Sequence, residues 1–455
     1  MRSRTSRRGW ARFAALALGM SATGVAAGPF DAIDRLVDDW QASRVFSGAI
    51  VVTRDREVLY ERAAGWANPE RGLAFSVTTP TDSASLAKPF TALLALMLAR
   101  EGRLDLDAPV VRYVAEYPHG DTRVRHLLQH SAGLPDYDAF DALFKAGAPV
   151  TTSAMLRELA DRRAPPPFAP GTRFEYCNLC LDALALAIER ATGRGFEALL
   201  RERLWAPAGI DHALLRPARL HALPASRAVG HRWRNGKYEA NDAEDFEAFH
   251  GASNLYATAR GFARYGSAFA NSAAWLGGAA GDAVERVRLN DGAITGLTLG
   301  NWYCDGGARR CYYTGHHRGF YNLMYWNAER RIAIAWVSNS TVLSTHRAPF
   351  ERALVAVAEG RPAPTEPPET VPLDDAKLRK LAGEHTIDGA GRVRFAFDGA
   401  RATLWSAEGV EYSLFRVSAR AFYAPGVDAL IGSTDDGRLV WSSIFVNAVA
   451  PPAAR

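Results

Sequence analysis

From Phe46 to Trp66 the chain reads FSGAIVVTRDREVLYERAAGW: an apolar run, the polar Arg54-Asp55-Arg56, then a second run of strand formers. That pattern predicts two strands joined by a tight turn. The spacing of apolar positions then changes. Pro89–Gly102 (PFTALLALMLAREG) predicts a long helix with Gly102 as its stop, and Leu181–Thr192 (LDALALAIERAT) a second helix closed by Gly193. Arg331–Asn339 (RIAIAWVSN) reads as a buried strand, with the neighbourhood of Tyr312 as its hairpin partner. Strands at the start, helices in the middle and strands at the end predict a mixed α/β unit over residues 28–360, closed by its two ends.

Beyond that unit, residues 361–372 (RPAPTEPPETVP) form a stiff proline-rich linker. Residues 373–455 then alternate apolar and polar positions between turns, as in VRFAFDGARATLWSAEGVEYSLFRVSARAFYAP. This predicts a small antiparallel β domain of barrel form, ending in a loose VAPPAAR tail. No catalytic cluster is visible in it.

Composition changes this picture in two places. The 455 residues carry a formal charge of +5, but residues 1–27 hold Arg2, Arg4, Arg7, Arg8, Arg12 and no acid. The remaining 49 basic and 49 acidic residues balance, so nothing argues for a nucleic-acid partner. The same 27 residues have the layout of a signal peptide: a basic start, the short apolar FAALALGMSATGVAA, and small residues before Gly28. Ser6-Arg7-Arg8-Gly9-Trp10 resembles a twin-arginine signal, and ordinary Sec export fits equally. Either route predicts an exported, periplasmic protein with no membrane span in the mature chain.

In that compartment the four cysteines are expected to pair. Cys304 and Cys311 bracket a tight-turn sequence, DGGARR, and predict a disulfide across a hairpin. Cys177 and Cys180 form C-x-x-C, open to a local disulfide, a redox pair or half a metal site. A second cysteine pair with metal spacing is absent, which argues against zinc, and cross-pairing of the two pairs stays open. His126 and His130 have i,i+4 spacing but no acidic partner of metalloprotease type, so no metal or cofactor is expected.

Three short motifs carry candidate chemistry. Ser85-Leu86-Ala87-Lys88 is S-x-x-K where loop meets helix, which would set Ser85 and Lys88 on one face with Ser85 at the positive helix end. A lysine whose proton is loosened can activate a serine hydroxyl; alone, the pattern also fits a helix cap and a solvated lysine. Tyr176-Cys177-Asn178 precedes the second helix, so Tyr176 could relay a proton and Asn178 could orient a substrate or merely cap the helix. The third is YYTGHHRGF, Tyr312–Phe320.

Together these resemble the serine hydrolases of the class C β-lactamase and D,D-peptidase family, including penicillin-binding-like proteins and esterases. The resemblance runs in order through FSGAIVV, YERAAGWANPERG, SLAKPFTALLALMLAREGRLDLDAPV, VRHLLQHSAGLPDY, FAPGTRFEYCN, ATGRGFEALLRERLWAPAGI and GASNLYATARGFARYG. It implies a β-lactamase/transpeptidase-like fold, an antiparallel sheet with flanking helices and a helical subdomain, followed by a small C-terminal β domain of lipocalin-like form. It implies attack by Ser85 on a carbonyl carbon, with Lys88 and Tyr176 as general base and acid and Asn178 orienting. The substrate would be a small ester, amide or peptide. Tyr313-Thr314-Gly315, three residues, then Gly319-Phe320 match the spacing of the family's third motif. The backbone N–H groups of Ser85 and His316 then form the oxyanion hole. A rival register, His317-Arg318-Gly319, misplaces the Gly-Phe pair. Tyr313 stands where relatives carry lysine or histidine, which weakens recognition of a penicillin carboxylate and makes efficient β-lactamase action unexpected. The alternative is a binding protein of the same fold with little or no turnover.

Overall fold

The computed structural model describes residues 28–451, apart from 43–45, 235–236, 243–246, 341–343 and 363–369. The predicted signal segment and most of the predicted linker lie outside the described residues. The first helix, Asp31–Ala42 (α1), leads into Gly48–Arg54 (β1) and Glu57–Ala64 (β2). Asp55 and Arg56 turn the hairpin with positive φ, 52° and 71°, and Asp34 of α1 accepts from Arg62 Nη1 at 2.6 Å.

The helical region follows. Ala87–Arg100 (α2) and Asn178–Thr192 (α3) are the two predicted helices, and they pack against one another. α3 starts three residues before the predicted Leu181, because Cys177 caps it: its Sγ accepts from Cys180 N at 3.0 Å. Asn178 is therefore the first helical residue and not the cap, which leaves its amide for other partners. Ala259–Ala270 (α4) then returns the chain to the sheet.

Six strands complete that sheet: Arg286–Arg288 (β3), Ile294–Thr298 (β4), Tyr303–Cys304 (β5), Arg310–His317 (β6), Phe320–Asn327 (β7) and Ile332–Ser338 (β8). The eight strands lie in the order β3-β4-β5-β6-β7-β8-β1-β2, every pair antiparallel. β8 pairs with β1 from Gly48↔Ser338 to Arg54↔Ile332, so the two ends of the α/β unit do close it. The hairpin partner of β8 is β7, with Tyr325 opposite Ile334, and not the Tyr312 strand, which lies one place further out as β6. The polar tip at Arg318-Gly319 spends the residues between β6 and β7, shifting the pairing by one strand.

Every residue of β8 is buried, as its unbroken apolar run requires of a central strand covered on both faces. Period two divides it. Ala333 faces α4, where Gly266 lets the helix approach, and Trp336 meets Phe350 of Ser344–Ala358 (α5) at 4.8 Å between ring centroids. Burial of each such large side chain contributes about 1.5–3 kcal/mol. Residues 383–449 add strands in two separate antiparallel sheets, of four and five strands. Among the described residues, neither sheet closes on itself.

Candidate active site

Ser85 sits in a tight 3-10 turn, Ala84–Leu86, that runs directly into α2, and it lies on the same side as Lys88, three residues on. The turn is held from three sides. Asp82 Oδ1 accepts from Ala84 N at 2.7 Å, fixing Ala84 at φ +46°, a conformation costly for a residue with a Cβ. Asn322 of β7 donates through Nδ2 to Asp82 O at 2.9 Å. On the third side lies Gly315 of β6. A Cβ there would stand 2.5 Å from Ser83 O and 3.0 Å from Ser85 N, so only glycine lets this strand come so near the Ser85 turn. Asp82 is fully buried, and its carboxyl is pushed up to about 6 by desolvation.

Around Ser85 the predicted residues converge. Lys88 is 0% exposed, and its Nζ donates to Ser85 Oγ at 3.0 Å, to Asn178 Oδ1 at 2.7 Å and to the Ala252 carbonyl at 3.1 Å. Three acceptors match the three protons of an ammonium. Tyr176 OH donates to Ser85 Oγ at 2.9 Å, and Lys88 Nζ lies 4.9 Å from the Tyr176 ring centre. Asn178 Nδ2 donates in turn to Asp136 Oδ2 at 2.9 Å, and this fixes which way its amide faces.

Several positioning groups carry no motif signal. Asp182, buried in α3, accepts from Ala252 N at 2.8 Å and from Tyr137 OH at 2.5 Å, and so holds the carbonyl that receives Lys88. Burial pushes its carboxyl up to about 6. His130 lies under Tyr176, ring on ring at 5.1 Å and 9°. Its Nδ1 accepts from Cys177 N at 3.0 Å while Nε2 faces Asn301 Oδ1 at 2.7 Å, which fixes the Nε2–H tautomer. Burial drives its pKa down to about 3, so the ring is neutral. His126 instead braces the start of its own short helix, Val124–Leu128, its Nδ1 accepting from Arg123 N at 3.1 Å. Cys177–Cys180 and Cys304–Cys311 are both disulfide-bonded, the second joining directly opposed residues of β5 and β6.

The third motif is split by strand alternation. Gly315 turns toward the Ser85 turn. Tyr313 is on the same side but 1% exposed, stacked on Tyr303 at 5.4 Å. Burial first, and the adjacent Tyr176 phenol second, hold its hydroxyl well above the ordinary tyrosine range. A buried, protonated Tyr313 beside Tyr176 forms a wall of the site. Arg318 does not supply the missing cation: it pairs with Glu247, which also takes Arg216 at 2.7 Å. Burial drives the pKa of His317 down to about 4, so in the rival register its ring is neutral and the guanidinium of Arg318 is already paired. Thr314 points the other way and donates through Oγ1 to Asp428 Oδ1 at 3.2 Å. The C-terminal sheets, read from sequence as without catalytic interest, thereby reach the edge of the site.

The Ser85 hydroxyl, which receives a buried lysine and a tyrosine, thus lies where a helical region meets an antiparallel sheet. The Beta-lactamase family model matches residues 33–358, and the chain belongs to this family of serine hydrolases. Esterase EstB of Burkholderia gladioli is 31% identical over 288 residues, 58% of this chain and 71% of the esterase. A D-aminopeptidase of Brucella canis is 34% identical over 175 residues; the match spans 37% of this chain and only 33% of that protein. The octameric penicillin-binding protein homologue of Pyrococcus abyssi superposes with a TM-score of 0.63 at 20% identity, covering 92% of this chain and 99% of that one. That last likeness speaks for the fold alone.

Proposed function

We propose that the protein is an exported serine hydrolase that cleaves a small ester, amide or peptide through an acyl-enzyme on Ser85. The observation that carries this reading is the double donation to Ser85 Oγ, from Lys88 Nζ at 3.0 Å and Tyr176 OH at 2.9 Å. Loss of one proton from this lysine–tyrosine pair leaves a base in contact with the serine hydroxyl. That base takes the Ser85 proton as Oγ attacks the carbonyl carbon, and returns it to the leaving oxygen or nitrogen. The negative oxygen of the tetrahedral intermediate is received by the N–H groups of Ser85 and His316, on the two backbones that Gly315 brings together. A donor of this kind is worth about 10²–10³ in rate. Water, deprotonated by the same pair, then hydrolyses the ester on Ser85. Efficient β-lactam hydrolysis is not expected, because neutral Tyr313 offers no cation to a carboxylate. Export is supported by the two disulfides, which persist in oxidising compartments. Among the described residues no helix is long and apolar enough to cross a membrane.

Fluorophosphonate labelling of the wild type and of Ser85→Ala tests the reading. Labelling that is abolished in the variant, with p-nitrophenyl ester turnover lost in parallel, is the expected result. Equal labelling of both proteins sinks it.

A further inference from the structure

Arg318 and Gly319 form a two-residue turn between β6 and β7, and this turn is anchored more heavily than a hairpin tip requires. Arg318 holds φ +52°, a conformation that a residue with a Cβ keeps only where its surroundings over-determine it. Its Nη1 donates to the Asp242 carbonyl at 3.0 Å, and its Nη2 pairs with Glu247. Gly319 N donates to the Asn241 carbonyl at 2.8 Å. A Cβ on Gly319 would stand 2.2 Å from His231 N, so the turn lies directly on the Gly230–His231 backbone. Glu247 is 4% exposed and also takes Arg216, whose side chain is fully buried. From Glu247 the chain continues to Ala252, whose carbonyl receives Lys88 Nζ at 3.1 Å. That stretch is tied down on the way, Ala248 N donating to Val150 O at 2.8 Å and Gly251 O accepting from Thr91 Oγ1 at 2.7 Å. One short segment therefore places both the carbonyl that receives Lys88 and the carboxylate that anchors the β6–β7 turn.

The turn bears on the site through the peptide of His316. His317 pairs with Phe320 across the turn, and a two-residue turn is closed by a hydrogen-bonded pair. Bonded and non-bonded pairs alternate along an antiparallel ladder, so His316, opposite Tyr321, belongs to a non-bonded pair and its N–H points away from β7. On that side β5 pairs with β6 only as far as Tyr312, and the Ser85 turn comes in beside Gly315. β6 is thus held against the Ser85 turn at Gly315 and clamped at Arg318, with the His316 N–H between the two anchors.

Resting on the serine-hydrolase reading above, we propose that Arg318, held by Glu247, is a positioning residue: it fixes the β6–β7 turn so that the His316 N–H stays aimed at the negative oxygen of the tetrahedral intermediate. It acts through the backbone and does not touch substrate. Arg318→Gly removes the guanidinium and suits the left-handed φ. It is expected to lower kcat on p-nitrophenyl pentanoate about tenfold per titrated site, a fraction of the 10²–10³ that one oxyanion donor is worth. KM should stay within about twofold, as for an interaction made only in the transition state. Tyr176 lines a cavity of about 580 Å³ to which neither β6 nor β7 contributes, so ground-state binding there is not disturbed. Phenylboronic acid supplies the second readout. Its boron accepts the Ser85 oxygen while the serine proton passes to the lysine–tyrosine pair, and the tetrahedral anion needs the same donors. Its inhibition constant should rise by a factor similar to the fall in kcat. Arg318→Lys keeps the charge without the planar fork, should move both constants at least about threefold in the same directions, and carries the test if the glycine variant does not fold. Constants within about twofold of wild type overturn the proposal. So does a fall in kcat with an unchanged inhibition constant, the mark of a merely structural arginine. In either case wild-type labelling by fluorophosphonate leaves the hydrolase reading standing. Absence of labelling and of ester turnover in the wild type sinks that reading, and this proposal with it.

Discussion

Gly315→Ala isolates the contact on which the oxyanion site depends. The added Cβ would lie 2.5 Å from Ser83 O and 3.0 Å from Ser85 N, where ordinary contact begins at 3.4 Å. Relief therefore requires β6 and the Ser85 turn to separate by about 0.9 Å, the gap between the first and last of those distances. The turn cannot yield freely, being fixed by Asp82 Oδ1 on Ala84 N and by Asn322 on Asp82 O. A displacement of about 1 Å between a reacting atom and its stabilising donors costs on the order of 10²-fold in rate. The strain itself should cost about 1–3 kcal/mol of stability, as for other overpacked contacts. Steady-state kcat and KM on p-nitrophenyl pentanoate, with active-site titration and a urea melt, separate the two effects. The expected outcome is a kcat roughly 10²-fold lower with a smaller change in KM, because the cavity beside Tyr176 is not on the displaced strand. A Gly315→Ala protein whose kcat stays within about twofold of wild type would refute the argument that this close approach builds the oxyanion site.

Two further expectations follow from the positioning groups. His130 has a folded pKa of about 3 against an ordinary value of 6.5, so its contribution to stability is complete above pH 6.5 and is lost as pH falls toward 3. Its full loss is worth up to roughly 5 kcal/mol, so His130→Asn should flatten the fall of Tm between pH 6.5 and 4 and also lower kcat by loosening Tyr176. An unchanged Tm–pH slope would show that His130 does not carry this titration. Asp182→Ala strands the buried Ala252 N–H and should cost about 1–3 kcal/mol in a urea melt. It should also reduce kcat through the carbonyl that holds Lys88, and a variant with wild-type kcat would exclude that route.

Much of the site was legible in the chain because its chemistry is local. Ser85 and Lys88 are separated by one turn, Tyr176 and Asn178 by one residue, and no rearrangement of the fold can take such pairs apart. Their convergence across 90 residues was readable only through resemblance to a family, since nothing in S-x-x-K or Y-x-N by itself specifies the other. The β1–β2 hairpin, set by its turn residues, and the β5–β6 hairpin, set by its turn and cysteine pair, were likewise fixed by short-range pattern. Where pairing had to be chosen between strands, as for β8, the apolar run was satisfied equally by either neighbour. The residues consumed by the Arg318-Gly319 tip decided it.

Burial of the polar and aromatic groups around the site was decided by the tertiary structure. Tyr313 looked like a substituted recognition residue, and packing against Tyr303 and Tyr176 turned it into an internal wall. Asp182 carries no motif signal, and His126 and His130 have i,i+4 spacing without the acidic partner a metal pair would need. Asp182 and His130 each acquired a role from a backbone group far away in sequence, Ala252 N for the first and Cys177 N for the second. Asp428 is the extreme case. It lies 114 residues from Thr314 in an unremarkable turn, and only the docking of one sheet on another brings its carboxylate to the edge of the active site. Sequence pattern records what neighbours along the chain can do together; what a charge meets after folding depends on the surfaces that close around it.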